Sequence, residues 1–301
     1  MGKLTVDAAG ALSAVDSGRV SAVAGQAQRD LQAYAARYPA LFPSNPFDPA
    51  LYSTVALANA FCGPWFSADE LRVANRATLW AFALDWQIDY LARSHAQVAE
   101  IVRRCLAVVD GTPAEEDDLL GQLLADILST ISAAPAYPAL RPAWRLEFQR
   151  MVEAMAREWE WQASREAGDT AALPTFEDYL DNADNICFSF VFLSHWVSTS
   201  GPPPVARAGE VLAAGRKVQE VIRLLNDLGT YDRDVTWGDL NPMMLGVTRD
   251  GVTERIGVLV AEALALLRPL HAEQPELAAF LERYIGFNKG FYGLTDYWGD
   301  L

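Results

Sequence analysis

Three oxygen-bearing side chains recur at four-residue intervals in the stretch NDLGTYDRD, residues 226–234. On a helix, Asn226, Thr230 and Asp234 would place an amide oxygen, a hydroxyl and a carboxylate along one face. Mg²⁺ prefers oxygen ligands of this kind, and oxygen-only ligation suits a chain with only three histidines. The spacing therefore predicts a helix face that binds magnesium.

A pair of aspartates lies in a second, mostly apolar stretch, WAFALDWQIDYLARS, residues 80–94. Asp85 and Asp89 are four residues apart, so both carboxylates would leave one helix face one turn apart. Taken alone, the pair has another explanation, in which one carboxylate faces water and the other pairs with Arg93. Together with residues 226–234 it predicts two acidic helices that face each other and hold a diphosphate through magnesium ions.

The elements that must position these motifs are helices. Capping-box patterns open two of them, Ser67 to Glu70 and Thr175 to Asp178, and alternating strand patterns are scarce. The chain is predicted to be all-α, one domain over residues 1–301 built as a helical bundle around a central apolar cavity. Apolar residues recur at three- and four-residue spacing in about ten blocks, residues 18–38, 49–61, 67–94, 96–110, 115–133, 141–168, 175–199, 203–234, 251–271 and 274–297.

Composition excludes several classes of function. A net charge of −15 argues against a nucleic-acid or anionic-membrane binder, since the summed field repels phosphates. Any phosphate site must then be local and rely on metal ions or a few cations. Three cysteines without CxxC spacing predict no disulfide framework and fit a reducing cytoplasm. The longest apolar run, ICFSFVFLSHWV, falls short of the ~20 residues of a membrane span, so we expect a soluble protein.

The motif at residues 226–234 resembles the second metal motif of bacterial class I terpene synthases with a single α-domain. Asn226, Asp227, Thr230, Arg233 and Asp234 match it position by position, with Asp234 where Glu is more frequent. The continuation VTWGDLNPMM and the upstream stretches SADELRVANRATLWAFALDWQID and EWEWQASREAGDTAALPTFEDYL are also similar to this family. In the first motif Trp86 stands where a second Asp is usual. The resemblance covers roughly residues 60–300.

This resemblance implies magnesium as the cofactor, three ions bound together with a prenyl diphosphate substrate. It assigns metal binding to Asp85, Asn226, Thr230 and Asp234, with Asp89 as a variable ligand. Two arginines expected in the family are missing: Ala183 occupies one position, and Asp296 precedes Tyr297 where an Arg-Tyr pair is usual. An Arg283-Tyr284 pair lies too early in the sequence and is interpreted as structural. Diphosphate binding is therefore assigned to Arg223, Arg233, Lys289 and Tyr297.

Aromatic residues cluster around both motifs and could line a dry pocket in which ring faces stabilise a carbocation. For any single ring, core packing is the commoner explanation. Phe82 is favoured because it precedes Asp85 by three residues. Asp184 and Asn185 lie where the family's helix breaks, and they are predicted either to assist ionisation and orient a water or simply to cap a kink. His195 is expected in the core. The residues assigned to the cation pocket are Phe82, Trp86, Asp184, Asn185, Phe188, Trp196 and Tyr292.

The predicted function is a class I terpene synthase that ionises a C20 substrate, either geranylgeranyl diphosphate or a bicyclic labdane-type diphosphate from a class II cyclase partner. Three alternatives stay open at this point: a sesquiterpene synthase acting on farnesyl diphosphate, a prenyl-condensing enzyme of the squalene and phytoene type, and a non-catalytic isoprenoid-binding protein. The condensing enzyme would need a second DxxxD motif, but Tyr231 lies four residues after Asp227. A homodimer is a family expectation.

Overall fold

The computed structural model describes residues 12–201 and 207–299, which form an all-helical structure with eleven α-helices. No helix in these ranges is long and apolar enough to cross a membrane. A π-helix, Trp86–Leu91, continues α3, and short 3₁₀ turns cover Thr170–Ala172, Ala183–Ile186 and Pro242–Leu245. The α-helices are α1 (Ala14–Ala35), α2 (Pro49–Cys62), α3 (Arg72–Asp85), α4 (His95–Val109), α5 (Leu119–Ser132), α6 (Tyr137–Glu166), α7 (Phe176–Asp181), α8 (Phe188–Thr199), α9 (Ala208–Trp237), α10 (Arg249–Glu273) and α11 (Pro275–Phe291).

Local sequence signals set several helix starts. Asp48 accepts a hydrogen bond from the Leu51 amide, and Pro49 occupies the first position of α2. The capping box predicted at Thr175 is present at the start of α7. At Ser67, the hydroxyl and amide hydrogen-bond to the Glu70 carboxylate, but α3 begins only at Arg72 after an intervening turn.

Stacked and edge-on aromatic rings fix the three helices α3, α6 and α8 around one side of the core. Trp80, Trp144, Phe148 and Phe190 are fully buried and in mutual ring contact, with centroids 5.4 to 5.9 Å apart. Both indole N–H groups have a hydrogen-bond acceptor: Trp80 donates to the Leu120 carbonyl at 3.0 Å, and Trp144 donates to Ser194 Oγ at 2.8 Å. Burial of each ring contributes about 1.5–3 kcal/mol, so this cluster holds α3 in place beneath its acidic end.

Two predicted helices are interrupted next to residues that were predicted to belong to the active site. The block 67–94 ends as α-helix at Asp85 and continues as the π-helix, in which Ala92 N–H donates to the Gln87 carbonyl. The block 175–199 splits into α7, a 3₁₀ turn and α8, and this split accounts for eleven helices rather than ten. Cys187 lies at the break with a left-handed φ of 63°, a conformation that costs a non-glycine residue about 1–2 kcal/mol.

Several other predicted blocks differ from the observed helices at their ends, among them the blocks of α9 and α11. The block 203–234 corresponds to α9, which runs from Ala208 to Trp237, and residues 203–206 lie outside the described residues. The block 274–297 corresponds to α11, which ends at Phe291. Beyond α11 the chain turns, and Tyr292, Asp296, Tyr297 and Trp298 line the cavity described below rather than extending a helix.

Candidate active site

One cavity receives both predicted motifs. It has a volume of about 200 Å³, several times the roughly 30 Å³ that a water molecule takes up in the liquid. Asp85 and Asp89 line it from α3 and the π-helix, and Asn226 and Asp234 line it from α9. Thr230, the third predicted ligand on α9, is buried and is not among the described residues that line the cavity. The structure thus brings the two acidic stretches together, as their spacing predicted. Their role as metal ligands stays a prediction.

The α9 motif is organised by hydrogen bonds of its own. Thr230 Oγ1 donates to Asp234 Oδ2 at 2.7 Å, and Asn241 Nδ2 donates to the same oxygen at 2.8 Å. Asn241 also donates to the Asp227 carbonyl at 2.9 Å. The chain can return to the helix in this way because Gly238 ends α9 with a left-handed φ of 95°. Asp234 is therefore held in one orientation, and its second oxygen accepts no hydrogen bond among the described residues but lies 3.7 Å from an Arg233 guanidinium nitrogen.

Helices α9 and α11 approach closely beside this motif. A Cβ atom at Gly229 would lie 2.6 Å from the Tyr292 carbonyl oxygen, so only glycine fits there. Tyr292 and Asn226 both line the cavity beside this contact, and the neighbouring Asn226 amide partly offsets the rise in the pKa of Tyr292 that burial causes. Tyr292 was predicted as a pocket residue, and the structure places it at the cavity.

The cavity carries a large excess of negative charge. Of the described residues that line it, two are cationic, Arg223 and Arg233, whereas seven carry carboxyl groups, namely Asp85, Asp89, Glu158, Asp227, Asp234, Asp239 and Asp296. Burial is the main cause of raised pKa values here, because it disfavours the ionised carboxylate. It raises the pKa of Asp85 to about 6 and the pKa of Asp239 to about 7. The pKa of Asp89 is also raised by burial and by the neighbouring Asp85 carboxylate.

This charge distribution fits divalent cations. Within the described ranges, no three His, Cys, Asp or Glu side chains converge closely enough to chelate a metal by themselves. Magnesium typically keeps several waters and uses one or two protein carboxylates together with substrate phosphates. This mode of binding requires carboxylates on opposite walls with hydroxyl and amide oxygens beside them. The cavity supplies these donors, and few cationic side chains compete with a metal ion for them.

Arg223, predicted to bind the diphosphate, is already surrounded by partners. Its guanidinium donates to both oxygens of Glu158, at 2.7 and 3.2 Å, and to the hydroxyl of Tyr179, and it lies 4.6 Å from the Tyr179 ring centroid. Asp227 Oδ1 accepts from the same hydroxyl at 2.8 Å. A phosphate contact by Arg223 would have to replace or share one of these bonds. Glu158 was not singled out from the sequence. The only feature that could have indicated it was an acidic residue within the apolar pattern of the stretch EWEW.

Arg233 is paired with the residue that replaces the expected arginine. Its NH1 lies 2.6 Å from Asp296 Oδ1, and the same oxygen accepts from the amides of Trp298 and Gly299 at 2.7 and 2.9 Å. This turn places the Trp298 ring 5.1 Å from the Phe82 ring, over the cavity. We name residues 295–299 the C-terminal cap. Asp296 therefore ties an arginine of the motif to the aromatic cover of the cavity.

The remaining predicted residues divide into two groups. Phe82, Asn185, Phe188, Tyr292 and Tyr297 line the cavity, and Asn185 Oδ1 is buried without a partner among the described residues. The other four are not among the described residues that line it: Trp86 stacks on Tyr90, Trp196 stacks on Phe192, Asp184 binds Gln219 and Arg150, and Lys289 is exposed on α11. Tyr90, Gln162 and Asp239 line the cavity and were not singled out from the sequence.

Residues 76–265 match the family model described as terpene synthase family 2, C-terminal metal binding. The chain belongs to this family. This terpene synthase is 25% identical over 274 residues to ent-pimara-9(11),15-diene synthase of Streptomyces sp. strain KO-3988, covering 90% of each chain. It is 24% identical to (−)-δ-cadinene synthase of Streptomyces clavuligerus over 66% of its own length and 60% of the relative's.

Among solved structures, the fold is similar to that of 2-methylisoborneol synthase from Streptomyces coelicolor A3(2), crystallised with Mg²⁺ and 2-fluoroneryl diphosphate. The TM-score is 0.68 at 16% identity, covering 89% of this chain and 91% of the other. The predictions of an all-α fold and of a bacterial class I terpene synthase are therefore confirmed.

Proposed function

We propose that this terpene synthase uses Mg²⁺ to ionise a C20 prenyl diphosphate, geranylgeranyl or bicyclic labdane-type, and releases a diterpene and inorganic diphosphate. The observation that carries the proposal is the cavity in which both acidic motifs meet with seven carboxyl groups against two guanidinium groups among the described lining residues. A diphosphate is itself an anion, and it can bind among these carboxylates only if divalent cations come with it.

Each wall of the cavity then has a role. Asp85, Asn226, Thr230 and Asp234 would hold the ions, three of them, with Asp89 as a variable ligand. Bound magnesium neutralises the diphosphate and makes it a better leaving group. Arg233 keeps its Nε free of partners among the described residues. This guanidinium can therefore bind a phosphate oxygen while it remains paired with Asp296.

The other lining residues protect the cation that remains. Phe82, Phe188 and Tyr297 present ring surface to the cavity, and each ring face can stabilise a nearby cation by about 0.5–2 kcal/mol. The C-terminal cap covers Phe82 and keeps water from entering. Asn185, with its unpartnered buried oxygen, lines the same space and is suited to assist ionisation or to orient a water.

The choice of a C20 substrate rests on the relative that matches along 90% of both chains, whose name specifies a pimaradiene, a C20 skeleton. A sesquiterpene synthase is the second candidate, because (−)-δ-cadinene synthase matches over a shorter span. We further propose that residues 1–301 act as one domain in the cytoplasm, that the enzyme is a homodimer, and that a class II cyclase supplies any bicyclic substrate.

The test is incubation of the purified protein and Mg²⁺ with geranylgeranyl, labdane-type and farnesyl diphosphates, followed by gas chromatography with mass spectrometry. We expect diterpene formation that stops on addition of EDTA. The variant Asp234→Asn should lower kcat/KM about 10²–10³-fold, whereas Asp232→Asn, exposed on the same helix, should leave it unchanged.

Turnover of farnesyl diphosphate alone would favour the sesquiterpene synthase. Inactivity with all three substrates, together with full helical content, would contradict the proposed reaction and favour a binding protein. Equal activity of Asp234→Asn and Asp232→Asn would contradict the assignment of Asp234 to the metals.

A further inference from the structure

A cluster of neutral polar side chains lies in the same cavity, away from the metal motifs. Asn59 on α2 and Tyr284 and Asn288 on α11 line the cavity and are almost fully buried. Asn75 on α3 lies behind Asn59, at 1% exposure. We name these four residues the amide cluster. Uncharged hydrogen-bonding groups are unexpected in a cavity whose neighbouring wall is made of residues such as Val55, Ala58 and Ala81.

Two helices fix the depth of the cluster. Tyr284 and Asn288 on α11 and Tyr292 at its C-terminal end follow at four-residue intervals, and Tyr292 lines the cavity together with Asn226 of the metal motif. Eight residues of helix place Tyr284 about 12 Å from Tyr292. On α3, Asn75 precedes Asp85 by ten residues, or about 15 Å. The amide cluster is therefore at the far end of the cavity from the diphosphate site.

The cluster is internally bonded but not saturated. Asn59 Nδ2 donates to Asn75 Oδ1 at 2.9 Å, and the Tyr284 hydroxyl donates to Asn59 Oδ1. Asn288 Nδ2 donates to the Tyr284 carbonyl at 2.8 Å. At the cavity wall, the Asn288 side-chain oxygen accepts no hydrogen bond and its amide uses one of two hydrogens among the described residues. Behind the wall, the buried Asn75 Nδ2 also has no partner among the described residues. Buried polar groups in native proteins are nearly always paired, with protein, water or ligand.

The rings around the cluster hold it in place. Tyr284 lies 4.8 Å from Phe188 and 5.1 Å from Phe280, both in edge-on contact, so its hydroxyl cannot swing away from Asn59 without losing this packing. The polar groups are thus fixed in an otherwise apolar environment. A fixed, uncharged set of donors and acceptors binds neutral groups, because an ion would be left without a countercharge there.

We propose that the amide cluster binds a hydroxyl group at the deep end of the cavity. A hydroxyl both donates and accepts, and so it matches Asn288, which lines the cavity with an unused carbonyl oxygen and one unused amide hydrogen. Two sources carry this chemistry: a water molecule, or a hydroxyl on the isoprenoid itself. This inference rests on the proposed terpene synthase function for its role in the reaction, but the binding preference it predicts does not require turnover.

If the source is water, its placement determines the product. An oxygen lone pair of the water forms a C–O bond to the carbocation, and the resulting protonated alcohol loses its proton to a second water molecule, in the cavity or in solvent when the product leaves. The product is then an alcohol rather than an olefin. If the source is the substrate, the cluster selects a diphosphate that already carries a hydroxyl about 12 Å or more from its leaving group.

The first experiment measures binding alone. (E)-Nerolidol and (E)-β-farnesene share a C15 skeleton and differ in a hydroxyl, and each can displace a fluorescent apolar dye from the full-length protein. We expect nerolidol to bind about tenfold more tightly. Asn288→Leu and Tyr284→Phe should reduce this ratio to below about threefold. Thr78→Val is the matched control, because Thr78 lines the cavity but its hydroxyl already donates to Ala74 of its own helix.

Equal binding of the two probes by the parent protein would overturn the proposal, as would an unchanged ratio in both variants. Two variants are used because they differ in their neighbours: Asn288→Leu leaves the Asn59–Asn75 pair intact, and Tyr284→Phe preserves the ring contacts. A variant that fails to fold, as judged by circular dichroism, therefore leaves the other as the test.

The second experiment identifies the source of the hydroxyl, in reactions run in H₂¹⁸O with diphosphate release measured in parallel. An ¹⁸O-labelled alcohol whose share falls about tenfold in Asn288→Leu would identify water as the ligand. Olefin products from unoxygenated substrates, with the binding preference retained, would identify a hydroxylated substrate. An ¹⁸O-alcohol share that is unchanged in both variants would overturn the role of the cluster. Absence of diphosphate release from every substrate would refute the proposed function, while the binding ratio would still decide this inference.

Discussion

The two ends of the cavity present different kinds of polar group. The end near Asp85 and Asp234 is lined by carboxyl groups whose charge exceeds that of the two arginines among the described residues. The deep end has the neutral amides of Asn59 and Asn288. Burial raises the energy of a charge much more than that of a hydrogen-bonded amide. The charged end therefore suits the cations and diphosphate of the proposed reaction, whereas the deep end can be stable without any ion.

This difference predicts opposite responses to pH, and the larger one is expected at the charged end. Burial raises the pKa of Asp227 to about 7 from an ordinary value of 3.8. Between these values the folded protein binds more protons than the unfolded chain, so without metal the free energy of unfolding falls as pH rises from about 4 to about 7. We expect the parent to lose about 2–4 kcal/mol relative to Asp227→Asn over this range. Urea unfolding of both proteins in EDTA measures this loss. A difference in unfolding free energy between parent and variant that does not change with pH would contradict the prediction.

The sign is reversed at His195, which does not line the cavity but contacts Phe280, the ring that packs on Tyr284. His195 is buried between Phe66 and Phe280, and burial lowers its pKa from 6.5 to about 4. Between these values the unfolded chain takes up a proton that the folded protein does not, so stability falls as pH decreases from about 6.5 to about 4. The loss should approach 3 kcal/mol. Urea unfolding of the parent and of His195→Phe at pH 7 and pH 4.5 measures this loss. An equal loss of stability at pH 4.5 in the two proteins would contradict the prediction.

A smaller effect is expected where α9 and α11 meet beside the charged end. Gly229→Ala would place a methyl group within 2.6 Å of the Tyr292 carbonyl. The helices must then separate, and we expect a loss of about 1–3 kcal/mol in the free energy of unfolding. Gly257→Ala on α10 is the control, because a Cβ atom there has no neighbour within 4 Å among the described residues. Equal stability of the two variants would show that the close approach is not needed.

The smallest effect concerns the C-terminal cap. Asp296→Ala removes both the ion pair with Arg233 and the acceptor of the Trp298 amide. We expect kcat/KM to fall about tenfold, since the cap no longer closes and Arg233 loses its orientation. Asp296→Asn keeps the turn without the charge and should show an intermediate loss. Leu294→Ala, at an exposed neighbour, should have no effect. If kcat/KM fell as much in Leu294→Ala as in Asp296→Ala, the result would contradict a specific role of Asp296 in closing the cap.

Most of the helical framework and the α9 motif were predictable because they depend on contacts a few residues apart. The three- and four-residue periodicity located all eleven helices of the described ranges within ten blocks, and the bond from Thr230 to Asp234 spans one helical turn. The break after Asp181 was expected from its Asn and Asp residues, whereas the π-helix after Asp85 was not, since an i to i+5 pattern has no distinct sequence signal.

What the sequence determined by itself was the helical fold, the spacing of Asp85, Asp89, Asn226, Thr230 and Asp234, and a charge balance that leaves a diphosphate dependent on metal ions. The tertiary structure decided which groups meet. Glu158 accepts a hydrogen bond from Arg223, and Asp296 forms an ion pair with Arg233. The Tyr284 hydroxyl donates to Asn59, which is 225 positions away in the chain. Contacts at such separations depend on how whole helices pack, and no local pattern of residue types specifies them.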